Sequence, residues 1–228
     1  MRVITIPDLH GKDCWKKIAP DEYDKIIFLG DYADSFTISS VEIIKNIEEI
    51  IEFKTSNPNK VELLLGNHDM HYLYYPAFRC AGFSWKTQVP LTKLFRENRE
   101  LFNFAFQIDN HLWTHAGVSN SWFKDNYVKF EELIKEEWKS ELAGIFNKLG
   151  GKDIHILTTV SFLRDGDSMH GGILWADLKE TYNDYLDGFH QYVGHTKVPG
   201  ISRFRNEAGS ICYLDCLDTK ESFYSFEI

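Results

Sequence analysis

Lys25-Ile26-Ile27-Phe28-Leu29-Gly30-Asp31-Tyr32-Ala33-Asp34 is the stretch on which the reading of this chain turns. A short run that stays apolar without alternating is the pattern of a strand buried on both faces, as in a parallel sheet. It stops at a glycine, and two carboxylates follow. Working outward, Val61-Glu62-Leu63-Leu64-Leu65 repeats the pattern and ends in Gly66-Asn67-His68-Asp69. Upstream, Met1 to Ile6 leads into Asp8-Leu9-His10-Gly11; downstream, His115-Ala116-Gly117 and Gly194-His195-Thr196 each close an apolar run. Every one of these blocks carries oxygen or nitrogen donors where a strand should stop, and ligands of α/β sheets collect at the carboxyl ends of strands.

The intervening segments support the same alternation. Ser39 followed by Glu42 is a capping-box pattern, and Ile43, Ile44, Ile47, Ile50 and Ile51 recur at helical spacing until Asn57-Pro58-Asn59. The first third therefore reads β-α-β-α-β with its donor blocks at one sheet edge. Asn103 to Ile108 and His111 to Thr114, around Asp109-Asn110, predict a hairpin whose second strand delivers His115. Ser121 to Leu149 reads as helical, with Glu131, Glu132, Glu136 and Glu137 on a solvated face. Ser161 to Gly172 is polar and glycine-rich and predicts a loop. Gln191 to Val193 enters the His195 block, and the segments near Ile211 and Phe223 read as closing antiparallel strands. No internal repeat or low-complexity segment interrupts this, so a single α/β domain over 1–228 is expected.

With 228 residues, 43% of them hydrophobic and 26% charged, the chain can bury a full core. A formal net charge of −9 without clustered Lys and Arg argues against a nucleic-acid surface. Part of that charge resides on Asp8, Asp31 and Asp34, which bound cations would neutralise. No stretch is long and apolar enough to span a bilayer, and no secretory leader pattern precedes the first strand. A cytoplasmic protein with no membrane partner is expected. The four cysteines are scattered without a CxxC pair, which predicts reduced thiols.

Taken together, the donors suit two metal ions. A dinuclear centre needs a carboxylate that bridges cations about 3.5 to 4 Å apart, with imidazoles and carboxylates completing each shell. Asp31 is the expected bridge. Asp8 and His10 would hold one ion; Asn67, through its neutral amide oxygen, would hold the other with His115 and His195. Such mixed donors suit manganese first, and iron, zinc or nickel, better than calcium, while the lack of thiolates argues against a structural zinc. A lone Asp-x-His is common. The weight lies in all the blocks occurring in one chain.

In this order, D-x-H, G-D-x-x-D, G-N-H-D, T-H-A-G and G-H-T resemble the calcineurin-like metallophosphoesterase superfamily. The chain is most similar to its phosphoprotein phosphatase branch, which also holds small phage and bacterial phosphatases and the symmetrical diadenosine tetraphosphatases. The resemblance spans Asp8 to His195. It implies a four-layer α/β/β/α sandwich, the same ligand sorting, and His68 as a general acid oriented by Asp34. Two departures bear on substrate. Ser35 stands where the branch usually has a phosphate-clamping Arg, and Leu174-Trp175 is followed by Ala176-Asp177 rather than by Arg. Arg164, placed where some bacterial relatives carry an arginine, is the expected substitute, with Asn67 also on the substrate side.

The expected activity is hydrolysis of phosphate monoesters, on a phosphoprotein or a small phosphorylated compound. A nucleotide or dinucleoside-polyphosphate hydrolase is the alternative. A non-catalytic scaffold is disfavoured because every ligand is present. Tyr32 is read as packing beside the site and His71 as exposed; His111, His155, His170 and His190 lack a motif context, although His170 shares the Arg164 loop.

Overall fold

The computed structural model describes residues 1–78, 81–130, 133 and 138–228. They form two compact units, Met1–Asn103 with Leu217–Ile228, and Phe104–Cys216. Glu131, Glu132, Glu136 and Glu137, read from sequence as a solvated helix face, lie outside the described residues.

In the first unit, strands β1 (Arg2–Ile6), β2 (Lys25–Phe28), β3 (Val61–Leu64) and β4 (Phe102–Asn103) run parallel, and β10 (Tyr224–Glu227) joins β1 antiparallel. The sheet order is β10-β1-β2-β3-β4. Val3, Ile6, Ile26, Ile27, Leu63 and Leu64 are fully buried, as unalternating strands require. Helix α1 (Ser40–Ser56) starts on the capping box read from sequence: the Ser39 side chain accepts from Glu42 N–H, and Glu42 accepts from Ser39 N–H. It buries Ile43, Ile47 and Ile50, each contributing roughly 1.5–3 kcal/mol. Asn46 on the same face accepts from Trp15 Nε1 at 2.9 Å and donates to the Lys12 carbonyl at 3.0 Å, which pins the chain after β1 against α1. Helices α2 (Asn67–Leu73) and α3 (Trp85–Glu97) follow, and α3 buries Thr87, Leu91 and Phe95.

The link from β1 to β2 differs from the helix expected there. It holds two 3-10 turns, Cys14–Lys17 and Pro20–Glu22. Pro20 has no N–H to continue a helix and disfavours helical geometry in Ala19, whose ψ is 114°.

The second unit carries the sheet order β5-β6-β7-β9-β8. Strands β5 (Ala105–Ile108) and β6 (His111–Thr114) form the predicted hairpin. Helices α4 (Asn120–Phe130), α5 (Leu142–Lys152), α6 (Ile154–Leu157) and α7 (Leu178–Thr181) precede β7 (His190–Val193), which pairs parallel with β6. The expected loop at Ser161 to Gly172 is irregular apart from one 3-10 turn, Phe162–Arg164, and an isolated bridge between Ser161 and Ser168. Strands β8 (Ser202–Asn206) and β9 (Gly209–Tyr213) are antiparallel, but β9 also pairs parallel with β7, so it is an interior strand and all five residues are buried. Val193, Ile211 and Tyr213 share a core with Tyr185, Val198 and Cys216. Among the described residues, no helix is long and apolar enough to cross a membrane.

Candidate active site

Three donor blocks meet at the carboxyl ends of β1, β2 and β3. Leu9 N–H and His10 N–H both donate to the Asp31 carbonyl, at 3.2 and 2.9 Å, and Gly11 N–H donates to the Tyr32 carbonyl at 3.0 Å. The turn after β1 is thereby fastened to the turn after β2. His10 and Asp31 both have left-handed backbones, with φ of 46° and 52°. Non-glycine residues seldom adopt that region, and its cost is tolerated where surrounding contacts enforce it.

The His10 ring shows what it is built to do. Its Nδ1 lies 3.0 Å from the carbonyls of both Ala33 and Asp34. Carbonyls only accept, so Nδ1 carries a proton, and in the neutral ring Nε2 is the nitrogen with the lone pair. That lone pair lies 3.8 Å from Asp31 Oδ2, too far for a hydrogen bond and suited to two ligands sharing a cation. Donor atoms of His10, Asp31 and His68 all fall within 4.8 Å of one another. Asp8 and Asn67, which flank the same strand ends, are buried at 1% and 3% exposure. Imidazole, carboxylate and amide oxygen held this way fit a divalent transition metal.

Asp69, quoted in the third block along the chain but given no role from sequence, holds this arrangement together. Its fully buried carboxylate accepts from the backbone N–H groups of Asp31 (2.8 Å), Gly66 (2.9 Å), Tyr32 (3.0 Å) and Ala33 (3.3 Å). Asp31 in turn accepts from His68 N–H at 2.8 Å. The two block glycines are spatial requirements. A Cβ at Gly30, whose φ is +99°, would lie 2.2 Å from Gly66 N, and one at Gly66 would lie 2.1 Å from Asp31 Oδ1. Tyr32 is fully buried as expected, its hydroxyl donating to the Leu64 carbonyl at 2.9 Å; burial pushes that phenol well above its ordinary pKa.

Asp34 lies next to His68 as the resemblance implied, with Oδ2 2.9 Å from His68 Nδ1. The expectation for His71 is overturned. His71 is fully buried and its Nε2 lies 2.7 Å from the same Asp34 oxygen, while the Tyr72 hydroxyl donates to Asp34 Oδ1. Its place three residues after His68 on α2 turns both rings to one face, and Phe83 closes over it at 5.2 Å. Burial alone raises the Asp34 pKa, but hydrogen bonds from His68, His71 and Tyr72 outweigh it and hold the carboxyl below its ordinary range. Burial, with the hydrogen bond to Asp34 behind it, pushes the Tyr72 hydroxyl far up.

In the second unit, His115 and His195 follow the adjacent parallel strands β6 and β7. His115 is fully buried, and its Nε2 lies 3.2 Å from His195 Nδ1 with the rings edge-on. His195 is also left-handed, φ 64°, and Gly194 N–H donates to the His115 carbonyl at 2.8 Å. Arg164 is not a loose loop residue. Its Nε lies 2.7 Å from Asp177 Oδ2 and its Nη2 donates to Thr196 Oγ1 at 2.6 Å, one residue from His195. His170 instead points Nδ1 at Asp125 Oδ2, 2.8 Å away. Cys212 is buried, its thiol pushed up to about 12, and Cys216 is buried beside Tyr213, as expected of inert thiols.

Mixed nitrogen and oxygen donors at the ends of parallel strands define a metal-binding α/β protein, and the comparisons with known proteins narrow the class. Residues 1–199 match the model of the calcineurin-like phosphoesterases, and the chain belongs to that family. No curated protein sequence matches. Among solved structures, a cold-active protein-tyrosine phosphatase of a psychrophilic Shewanella species is 17% identical, with a TM-score of 0.60 over 99% of this chain and 75% of that one. A protein serine/threonine phosphatase from Saccharomyces cerevisiae is 16% identical, with a TM-score of 0.52 over 94% and 67%. At these identities the likeness is one of fold. The two five-stranded sheets with their helices agree with the metallophosphoesterase fold, and the family implies a dinuclear divalent metal centre and phosphorylated substrates.

Proposed function

We propose that this chain is a phosphomonoesterase in which Asp31 is shared by two divalent cations, manganese first among them. Asp8 and His10 complete one ligand set; Asn67, His115 and His195 complete the other. The observation that carries this reading is the His10 ring, whose Nδ1 is committed to two carbonyls while Nε2 faces the Asp31 carboxylate without a hydrogen bond. When bound, such a metal pair lowers the pKa of water and neutralises phosphate charge.

The remaining work falls to side chains. His68, with Nδ1 committed to Asp34, presents Nε2 to the leaving oxygen and delivers its proton there. Asp34 fixes the ring and stabilises its protonated form. Arg164 holds a phosphate oxygen, with Asp177 and Thr196 fixing the planar guanidinium beforehand. Asn67 serves both its metal and the substrate. The substrate is a phosphorylated protein or small molecule, and the cytoplasm is the proposed compartment, with no nucleic-acid or membrane partner. A second reading, hydrolysis of nucleotides or dinucleoside polyphosphates, draws support from Ser35, whose hydroxyl accepts from Thr37 and Ile38 N–H and leaves no cation where the branch has one.

Rates for an activated aryl phosphate and an alkyl phosphate, measured in His68→Ala, test the acid role. A loss of about 10²-fold or more on the alkyl ester, with a much smaller loss on the aryl ester, is expected. Equal losses would remove His68 from that role.

A further inference from the structure

A file of aromatic rings leads away from the acid pair, and neither the metal ligands nor the fold of the first unit accounts for its outer end. From His10 the ring centroids step 5.0 Å to His68, 5.7 Å to His71, 5.2 Å to Phe83 and 5.1 Å to Trp85, each neighbour meeting edge-on. Phe83 also stacks with Tyr72 at 5.4 Å and with Tyr75 at 5.7 Å. The backbone that carries Phe83 rests on the acid pair, since a Cβ at Gly82 would lie 3.3 Å from Asp34 Cβ.

Two rings of this neighbourhood face solvent. Trp85 is 66% exposed, although α3 already seats itself through Thr87, Leu91 and Phe95. Phe36, two residues beyond Asp34, is 94% exposed. Phe36 follows Asp34 by two residues, and Trp85 follows by three residues Gly82, which packs against Asp34. Rings left in water beside a polar site are what a site for a planar ligand looks like.

We propose that Phe36, Phe83 and Trp85 form a platform for an aromatic ring carried by the leaving group, so that the substrates are phosphoesters of a phenol or of a nucleobase-bearing alcohol. This rests on the phosphoesterase reading above, with His68 placed beside the leaving oxygen. Whatever lies beyond that oxygen departs from the His68 side, where the next rings are His71, which is buried, and then Phe83. A ring there gains contact with the exposed Trp85 and with the part of Phe83 left open; an alkyl alcohol gains little.

The test uses the metal-loaded full chain and two non-hydrolysable probes, benzylphosphonate and methylphosphonate, with affinities measured by calorimetry. The wild type is expected to favour the benzyl probe by on the order of tenfold. In Trp85→Ala, and to a lesser degree in Phe36→Ala, that ratio should fall toward one. Equal affinities in the wild type, or a preference that survives in Trp85→Ala, would overturn the platform. If aryl phosphate is still turned over, the phosphoesterase reading stands without it; if neither probe binds and nothing is turned over, both readings fall. Comparing kcat/KM for O-phosphotyrosine and adenosine 5′-monophosphate in the wild type and Trp85→Ala then separates the two sources. The one that loses more carries the ring the platform holds.

Discussion

Replacing Asp69 by Asn isolates the contribution of one buried carboxylate to the whole site. In the native chain Oδ2 accepts from Asp31 and Gly66 N–H, and Oδ1 accepts from Tyr32 and Ala33 N–H. An amide can keep one of those pairs. Its NH₂ group then faces the other two donors, which have no room to turn away because Gly30 and Gly66 bring the two turns into contact. Hydrogen bonds to a charged acceptor are worth about 1.5–3 kcal/mol each, so two lost bonds come to about 3–6 kcal/mol. Neutralising a buried charge returns part of this. A net loss of about 3 kcal/mol is expected, or roughly a hundredfold in the folding equilibrium. Urea unfolding of the metal-free chain measures it directly. The same variant should also bind divalent metal more weakly, because the turn that carries Asp31 is no longer held. A loss under about 0.5 kcal/mol with unchanged metal affinity would refute the role assigned to Asp69.

Gly30→Ala adds a Cβ at 2.2 Å from Gly66 N in a left-handed backbone and should cost about 3 kcal/mol or more, visible as a fall of many degrees in Tm; a fall of one or two degrees would show that the two turns can separate. Arg164→Lys keeps the charge but not the fork between Asp177 and Thr196, so KM should rise several-fold with kcat little changed, and identical KM values would exclude Arg164 from substrate binding. Burial lowers the pKa of His111, with His190 adding to it, and burial followed by the Arg203 charge lowers that of His190. Both then take up protons more readily when unfolded. Their stability contribution is complete above the unfolded value of about 6.5 and drains away as pH falls below it. Unfolding midpoints should therefore drop from pH 7.5 to pH 5.5, and His190→Gln should flatten that slope; an unchanged slope would contradict the assignment.

What could be read from sequence was local. Apolar runs ending in glycine located β2 and β3, the apolar run leading into Asp8 located β1, and the Ser39–Glu42 pair located the start of α1, because strand burial and capping are encoded by near neighbours. What could not be read depended on distant partners. His71 looked like a surface residue because Asp34 and Phe83, which bury it, come from other turns of the chain. Its spacing of three from His68 within a helical turn was the available signal. The role of Asp69 was hidden similarly, since its partners are backbone N–H groups that no side-chain pattern reveals. The segment near Ile211 read as a closing antiparallel strand, and β9 does pair antiparallel with β8, whereas its parallel pairing with β7 is set by the sheet. The left-handed backbones of His10, Asp31, Asp34 and His195 belong to the same class: no residue type announces them, and tertiary contacts impose them.

The sharing of Asp31 by two cations is most directly tested by counting metal in the purified, manganese-loaded chain by elemental analysis. Two ions per chain in the wild type and fewer than one in Asp31→Asn are expected, with activity lost in the variant. A wild type that binds none, or an Asp31→Asn chain that keeps both ions, would contradict the account.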